Sequence, residues 1–298
     1  AVILPIEDLN GMPLQELAVP LMPSDWAPIF SMLEGQFLPD GKSIFLNAGY
    51  IPVIIEFLTG KVKCAFKGYA EPAQSVSFSP NGERCLIGSA NDILEWDFAE
   101  GRRIRRMLGH TGDVAQAEYS PDGQKIVSVS DDYTARVWDA KSGDTLFTAP
   151  VGIRIIPIQS YARILAISPD GQYFVKGHSP GYDIEFPMLS LWNLQDGSPR
   201  GRMLEGEVGT LLEICDLDFS PDGKWLAVLE SGGVHVWDVT ANRWLWQFKF
   251  DFDTDFRSIA FNRDGSQLAA ITSKDVLQYW DAQTGNTIRV IKPAPFSD

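Results

Sequence analysis

The chain has 298 residues, of which 45% are hydrophobic, and a formal net charge of −14. This composition is typical of a globular protein with a substantial core, and no apolar run approaches the roughly 18 residues that a membrane helix needs. An acidic surface repels phosphate backbones and anionic bilayers, so we predict no nucleic acid and no membrane as the main partner.

The cysteines Cys64, Cys85 and Cys215 lack the paired spacing of a zinc site. We expect buried free thiols, with one disulfide as the alternative. The compartment stays open, and a soluble cytoplasmic protein is favoured over a secreted one. No signal peptide is recognisable. Because the numbering begins at Ala1 rather than Met, a removed leader and a piece of a longer protein both remain open.

A turn of the form Ser-Pro-Asp-Gly recurs along the chain. Its first, looser copy is Leu38-Pro39-Asp40-Gly41, and the later copies begin at Ser79, Ser120, Ser168, Ser220 and Asn262. The third residue of the turn lies at positions 40, 81, 122, 170, 222 and 264. A period near 40–45 residues is the length of a four-stranded propeller blade.

A Trp-Asp dipeptide or a close relative of it follows each turn. The copies are Ile55-Glu56, Trp96-Asp97, Trp138-Asp139, Trp192-Asn193, Trp237-Asp238 and Trp280-Asp281. We expect the large rings to pack between neighbouring sheets, and the Asp to accept hydrogen bonds from the turn that follows it.

Each repeat is predicted to contain four short strands, which one complete copy shows as Val114 to Tyr119, Lys125 to Ser130, Tyr133 to Trp138 and Thr145 to Thr148. Lys125 to Ser130 alternates polar and apolar residues, as in a half-buried strand, and no repeat has a helical period. We therefore predict an all-β fold and a single domain over residues 1–298. The approximate repeats are 26–67, 68–108, 109–148, 149–204, 205–248 and 249–291, with 1–17 as a partial blade.

Over residues 36–291 the repeats resemble the WD-repeat family of β-propellers. The resemblance implies a hydrogen-bonded network within a blade, which is matched in full once, by His110 of a Gly-His pair, Ser128 (or Ser130), Asp132 and Trp138. It implies that His110 is structural rather than catalytic. Where the His is absent, we expect apolar packing to hold the blade instead.

The N-terminus fits the same frame, because Ile6 to Gly11 resembles Ile55 to Gly60 and both match Trp138 to Gly143. Six full repeats and this half-blade favour a β-propeller of seven four-stranded antiparallel blades. The alternatives are a six-bladed ring with the N-terminus packed outside it, or a chain cut from a longer one. Ring closure removes exposed sheet edges.

Enzyme motifs are missing from the sequence, and the histidines His110, His178 and His235 lie in three different repeats. Asp251 to Asp255 imitates the start of a calcium loop, but Phe256 replaces the glycine that the turn needs. We predict no catalytic residue, no metal and no cofactor. The alternative is a metal-dependent hydrolase or lyase with its metal in the central channel, which needs His, Asp or Glu on the first strands. These strands are mainly apolar and small, which disfavours it, with Glu118, Asp216 and Asp218 as the exceptions.

Four arginines, Arg102, Arg103, Arg105 and Arg106, form the one basic cluster of the sequence. We interpret them as a charged outer strand that discourages edge pairing. A docking patch for an acidic partner is the alternative.

Two insertions enlarge the connections between strands, at Ala149 to Ala162 and His178 to Pro187. In a propeller, both would emerge on one face, where 205–213 and 249–256 also open. Their residues are unusually apolar for exposed loops, which favours a contact surface, although the loops packing on each other and closing the face is the alternative. The candidate partner-binding residues are Ile153, Arg154, Ile155, Ile156, Tyr161, Tyr182, Asp183, Ile184, Glu185 and Phe186.

We therefore predict a non-enzymatic scaffold that binds a protein or peptide on its loop-rich face, where a rigid frame limits the entropy lost on binding. The sensor domain of a longer multidomain protein is a further alternative. The oligomeric state stays open.

Overall fold

The computed structural model describes residues 34–38, 40–47, 53–65, 75–98, 100–150, 165–177, 189–204, 214–230, 232–250, 256–272 and 276–292. These ranges contain 24 strands and no helix. The strands form six four-stranded antiparallel sheets, each from four consecutive strands. This confirms the predicted all-β fold of β-propeller blades. Seven blades remain a prediction, because the partial blade at 1–17 lies outside the described residues.

The chain divides into two compact units, residues 1–117 and 118–298. The single domain therefore stays a prediction. Unit 1 contains two sheets. Sheet I is β1 (Glu34–Phe37), β2 (Ser43–Asn47), β3 (Val53–Glu56) and β4 (Val62–Ala65). Sheet II is β5 (Ser75–Phe78), β6 (Arg84–Ser89), β7 (Asp92–Asp97) and β8 (Arg102–Leu108).

Unit 2 holds the remaining sheets, and the boundary between the units falls inside the first strand of sheet III. Sheet III is β9 (Val114–Tyr119), β10 (Lys125–Ser130), β11 (Thr134–Asp139) and β12 (Thr145–Pro150). Sheet IV is β13 (Leu165–Ile167), β14 (Tyr173–Gly177), β15 (Leu189–Asn193) and β16 (Pro199–Leu204). Sheet V is β17 (Ile214–Phe219), β18 (Trp225–Glu230), β19 (Gly233–Asp238) and β20 (Arg243–Lys249). Sheet VI is β21 (Phe256–Phe261), β22 (Gln267–Thr272), β23 (Leu277–Asp281) and β24 (Thr287–Ile291).

The fourth strand of sheet III is longer than the sequence predicted. β12 runs to Pro150 rather than ending at Thr148, and Ala149 is buried and paired with Ala135. The connection to sheet IV therefore occupies 151–164 instead of starting at Ala149.

The Ser-Pro-Asp-Gly turns are held together by their own side chains. In one of them, Ser120 Oγ donates to Asp122 Oδ1 (2.6 Å) and accepts from the backbone N–H of Lys125 (2.9 Å). Gly123 has a φ of 68°, in the left-handed region that glycine adopts without strain. The Ser120 hydroxyl holds the pKa of the Asp122 carboxyl below its usual range.

In unit 2, sheets IV, V and VI pack face to face around the Trp side chains of sheets V and VI. Trp237 lies in a cluster with Val175, Leu189 and Leu191 of sheet IV, and Trp280 lies in one with Val234 and other residues of sheet V. In unit 1, sheets I and II share a cluster of the same kind that includes Trp96. Trp96, Trp138, Trp237 and Trp280 are buried, as expected of core rings, whereas Trp192 is only partly buried.

The Asp or Asn after each Trp binds the turn that follows it. The carboxylate of Asp139 accepts from the backbone N–H groups of Lys141 and Ser142, at 2.9 and 2.7 Å. Asp97, Asp238 and Asp281 make the same kind of bond. This part of the prediction is confirmed.

Candidate functional site

In an antiparallel sheet, the end of one strand lies beside the start of the next, so both lie along the same edge of the sheet. Sheet III and sheet IV each have one such edge, formed by the strand ends next to the long connections. In sheet III this edge holds Ser130 and Pro150, the ends of β10 and β12. In sheet IV it holds Leu165, Gly177 and Leu189, where β13 begins, β14 ends and β15 begins. We call this the connector edge, because 151–164 and 178–188 are attached to it.

The two sheets are joined side by side in the same orientation. At the opposite edge, Lys125 Nζ donates to the carbonyl oxygen of Leu194 (3.1 Å) and to Gln195 Oε1 (2.8 Å). A Cβ added to Gly171 would lie 3.8 Å from the Pro121 ring, so consecutive Ser-Pro-Asp-Gly turns are adjacent. The four strand ends that flank the two long connectors therefore share one side of unit 2.

All ten candidate partner-binding residues lie outside the described residues: Ile153, Arg154, Ile155, Ile156, Tyr161, Tyr182, Asp183, Ile184, Glu185 and Phe186. The strand ends place their points of attachment on the connector edge. Their role in binding stays a prediction. His178 and the acidic stretch Asp251 to Asp255 also lie outside the described ranges.

The four residues of the implied blade network are all described. Trp138 Nε1 donates to Ser128 Oγ at 2.8 Å, and both side chains are buried. Asp132 Oδ1 accepts from the backbone N–H (2.9 Å) and the hydroxyl (2.6 Å) of Thr134. His110 is buried, with 4% of its surface exposed. The role of the four as one network remains a prediction.

The sequence did not point to the most unusual side chain at the connector edge, Lys176 on β14. Only 6% of Lys176 is exposed, and it occupies the place in its sheet that Ser128 has in sheet III. Burial lowers the pKa of Lys176 to about 8, against the opposing effect of the Asp132 and Asp131 carboxylates. Aligning the second strands of the repeats shows this Lys where the others carry Ser or an apolar residue, and that comparison could have found it.

The acidic residues on the first strands connect neighbouring sheets. Asp216 Oδ2 accepts from Ser258 Oγ (2.8 Å) and from the backbone N–H of Ile259 (3.0 Å). Asp218 Oδ2 accepts from the backbone N–H of Phe261 at 2.8 Å. These carboxylates link β17 to β21, and no group of three or more potential metal ligands occurs among the described residues.

The arginine cluster, the three cysteines and His235 all lie within the described residues. Arg105 pairs with Glu95, Arg106 with Asp92 and Arg102 with Glu100, so much of the arginine cluster is neutralised within unit 1. The three cysteines are free, but only Cys85 is fully buried, because Cys64 and Cys215 lie at partly exposed positions. His235 is partly buried, with 12% of its side chain exposed, and its Nε2 lies 2.6 Å from Glu230 Oε1.

The fold and its repeating Trp-Asp and Ser-Pro-Asp-Gly elements define β-propeller blades of the WD-repeat type. Residues 101–139 and 202–238 match the sequence family described as WD domain, G-beta repeat. The chain therefore carries WD repeats, as its sequence indicated.

Three relatives match between 47% and 82% of the chain. One is an uncharacterized WD repeat-containing protein of Synechocystis sp., 28% identical over 47% of this chain and 39% of its own length. Another is pre-mRNA-processing factor 19 of Oryza sativa subsp. japonica, 26% identical over 82% of this chain and 44% of its own length. A third is the periodic tryptophan protein 2 homolog of Schizosaccharomyces pombe, which is 26% identical over 75% of this chain and 22% of its own length. The chain thus spans less than half the length of these relatives.

Among the residues that the structure describes, no helical segment capable of spanning a bilayer is found.

Proposed function

We propose that this chain is a non-enzymatic scaffold that binds a protein or peptide at the connector edge, through 151–164 and 178–188. The observation that carries this proposal is the shared edge of sheets III and IV, to which both long connectors are attached. Binding residues concentrate on loops that a rigid frame holds in place. Ile155, Tyr182 and Phe186 would supply the apolar contact area, and Arg154, Asp183 and Glu185 the polar rim.

The comparisons support an interaction role, since two segments of this chain match the WD domain family and one similar protein is named as WD repeat-containing. The net charge of −14 favours protein over nucleic acid as the partner. One relative is named for pre-mRNA processing, so an RNA-containing assembly is the second setting to test. The length of the relatives is compatible with a binding domain of a longer protein.

The metal-dependent hydrolase or lyase is disfavoured by Asp216 and Asp218, whose carboxylates accept hydrogen bonds between sheets. Metal analysis of the purified chain tests that alternative directly. A stoichiometric metal that is lost with Asp216→Asn would replace the scaffold proposal.

The docking surface is tested by affinity capture with wild type and with Ile155→Asp/Phe186→Asp. The control is Leu146→Asp, an exposed position near the start of β12, at the end of that strand opposite Pro150. We expect captured proteins to be lost with the double variant and kept with the control. Identical capture by all three proteins would show that the proposed surface is wrong. Nuclease treatment of the captured material separates protein partners from RNA-dependent ones.

A further inference from the structure

The last strand of sheet VI, β24, is an open edge on which every residue is exposed. β24 pairs with β23 on one side, and no described strand pairs with it on the other. The last strands of sheets II and V, β8 and β20, each keep some of their residues partly or fully buried. β24 therefore presents unpaired backbone N–H and C=O groups, which can template the addition of another strand.

The side chains of β24 add apolar surface to this open edge. The exposed fraction is 48% for Ile288, 47% for Val290 and 37% for Ile291. Three of the seven large hydrophobic residues that are exposed in the described part of the chain thus lie on one strand, and the others are Leu58, Val62, Leu108 and Leu146. Because successive residues of a strand point to opposite faces, Val290 and Ile291 expose apolar surface on both faces of the edge. An added strand would cover both.

The usual protection of an open edge is weak in β24. Charged residues and proline normally discourage strand addition. β8 contains four arginines, and β16 begins with Pro199 and contains Gly201. β24 contains neither Pro nor Gly, its only charge is Arg289, and its Thr, Ile and Val residues favour the strand conformation. A strand that departs from the rule in this way indicates a functional edge.

Arg289, the central residue of β24, is a cation held in a defined position. Its Cζ lies 4.5 Å from the centre of the Tyr279 ring, on the neighbouring strand β23. The face of an aromatic ring attracts a cation, so the guanidinium is held beside the open edge. No carboxylate of the described residues forms an ion pair with Arg289, in contrast to Arg105 of β8, which pairs with Glu95.

Charge decides which strand fits this edge. If two copies of β24 paired antiparallel in full register, the two Arg289 side chains would lie directly opposite each other, and like charges in that position destabilise the pair. Two chains with a net charge of −14 also repel each other. A strand of another protein with Asp or Glu opposite Arg289 would instead gain a charge-assisted contact.

We propose that β24 binds an extended segment of a partner protein as a fifth, antiparallel strand of sheet VI. The segment carries Asp or Glu opposite Arg289, flanked by β-branched or aromatic residues that cover Val290 and Ile291. Main-chain hydrogen bonds supply the affinity, and the alternating side chains supply the selectivity. This edge does not involve 151–164 or 178–188, so the proposal is independent of the function proposed above.

The test uses a library of random dodecapeptides displayed on phage, selected separately against wild type, Val290→Asp, Arg289→Gln and Leu146→Asp. Leu146 is the matched control, because it is 49% exposed and lies on β12, the last strand of sheet III. We expect wild type and Leu146→Asp to select peptides in which an acidic residue is flanked by β-branched or aromatic residues. Val290→Asp should lose these peptides, and Arg289→Gln should select peptides without the acidic preference.

Fluorescence anisotropy with one selected peptide measures the two contributions separately. Val290→Asp should weaken its binding at least about tenfold, because the apolar contact is lost. Replacing the acidic residue of the peptide by its amide should weaken binding to wild type by about threefold and leave binding to Arg289→Gln unchanged. Equal losses for both proteins would overturn the contact assigned to Arg289.

Hydrogen exchange shows whether the peptide pairs with the backbone of β24. The bound peptide should slow the exchange of amides in β24 and leave those of β12 unchanged, because only a paired strand protects the N–H groups of the open edge. Unchanged exchange in β24 would overturn strand addition. The absence of any peptide whose binding depends on Val290, or an equal loss with Leu146→Asp, would overturn β24 as the docking edge.

Other occupants of the edge give different results. A dimer of wild type in analytical ultracentrifugation that Val290→Asp abolishes would identify a second copy as the occupant, against the proposal. Because Val290 is exposed, Val290→Asp should lower the midpoint of thermal unfolding no more than Leu146→Asp does. A clearly larger decrease would show that the edge is already covered within the protein, which would also overturn the proposal.

Discussion

Trp138 Nε1 donates a hydrogen bond of 2.8 Å to Ser128 Oγ, and 1% and 0% of the two residues are exposed. Ser128→Ala would leave the indole N–H buried without this acceptor, so we expect a loss of about 1–3 kcal/mol in the free energy of unfolding. Urea denaturation followed by circular dichroism measures it.

A double-mutant cycle with Trp138→Phe isolates this hydrogen bond from the packing of the ring. The coupling between the two substitutions should be about 1 kcal/mol, because Phe removes the donor that Ser128 serves. Strictly additive losses would contradict an energetic role for the bond.

Gly285 illustrates how one repeat restricts the next. Its φ is 73°, and a Cβ there would lie 2.7 Å from Trp246 Cδ2 of sheet V. The ring cannot simply move away, because Trp246 Nε1 donates to the carbonyl oxygen of Ala282 at 2.8 Å. Gly285→Ala should therefore destabilise unit 2 by clearly more than the roughly 1 kcal/mol that the backbone conformation alone costs.

The control is Gly171→Ala, which has a similar φ of 67° but an added Cβ in ordinary contact, 3.8 Å from Pro121. Thermal and urea unfolding of both variants should show the larger loss for Gly285→Ala. Equal losses would mean that the contact with Trp246 relaxes at no cost.

The elements that the sequence predicts well are those that a single repeat determines. Ser120, Asp122 and Gly123 form their turn within five residues, and Trp138 lies at a fixed distance from it, so the period alone locates strands and turns. The contacts between repeats were not predictable in this way. Three contacts show this: Lys176 interacts with Asp131, Trp246 lies close to Gly285, and Asp216 accepts a hydrogen bond from Ile259. Each contact joins residues of different sheets, so its distance depends on how the two sheets pack against each other.

Glu95 is fully buried in sheet II and pairs with Arg84 and Arg105. Removing one cation leaves a buried carboxylate with less compensation, so Arg105→Met should reduce the stability of unit 1 by about 3 kcal/mol. Arg103→Met, on the same strand at an exposed position opposite Trp96, should change it by less than about 0.5 kcal/mol. Urea denaturation compares the two variants, and equal effects would refute the role assigned to Arg105.

Lys176 should make the stability of the chain depend on pH in the alkaline range. The pKa of Lys176 is about 8 in the folded protein, below the value of about 10.4 for an unfolded chain. Between these values the unfolded state binds more protons, so the free energy of unfolding rises with pH. Well below pH 8 both states are protonated, and the group contributes no slope. The total gain across this window is on the order of 3 kcal/mol.

Urea denaturation of wild type and Lys176→Met, at intervals between pH 7 and pH 10.5, measures this contribution. Other Lys and Tyr side chains also titrate there, so the informative quantity is the difference between the two curves. Wild type should gain stability relative to Lys176→Met from pH 8 upward, and the difference should be constant below pH 7.5. Parallel curves over the whole range would show that the Lys176 amine is not desolvated in the folded protein, because only a lowered pKa couples its proton to folding.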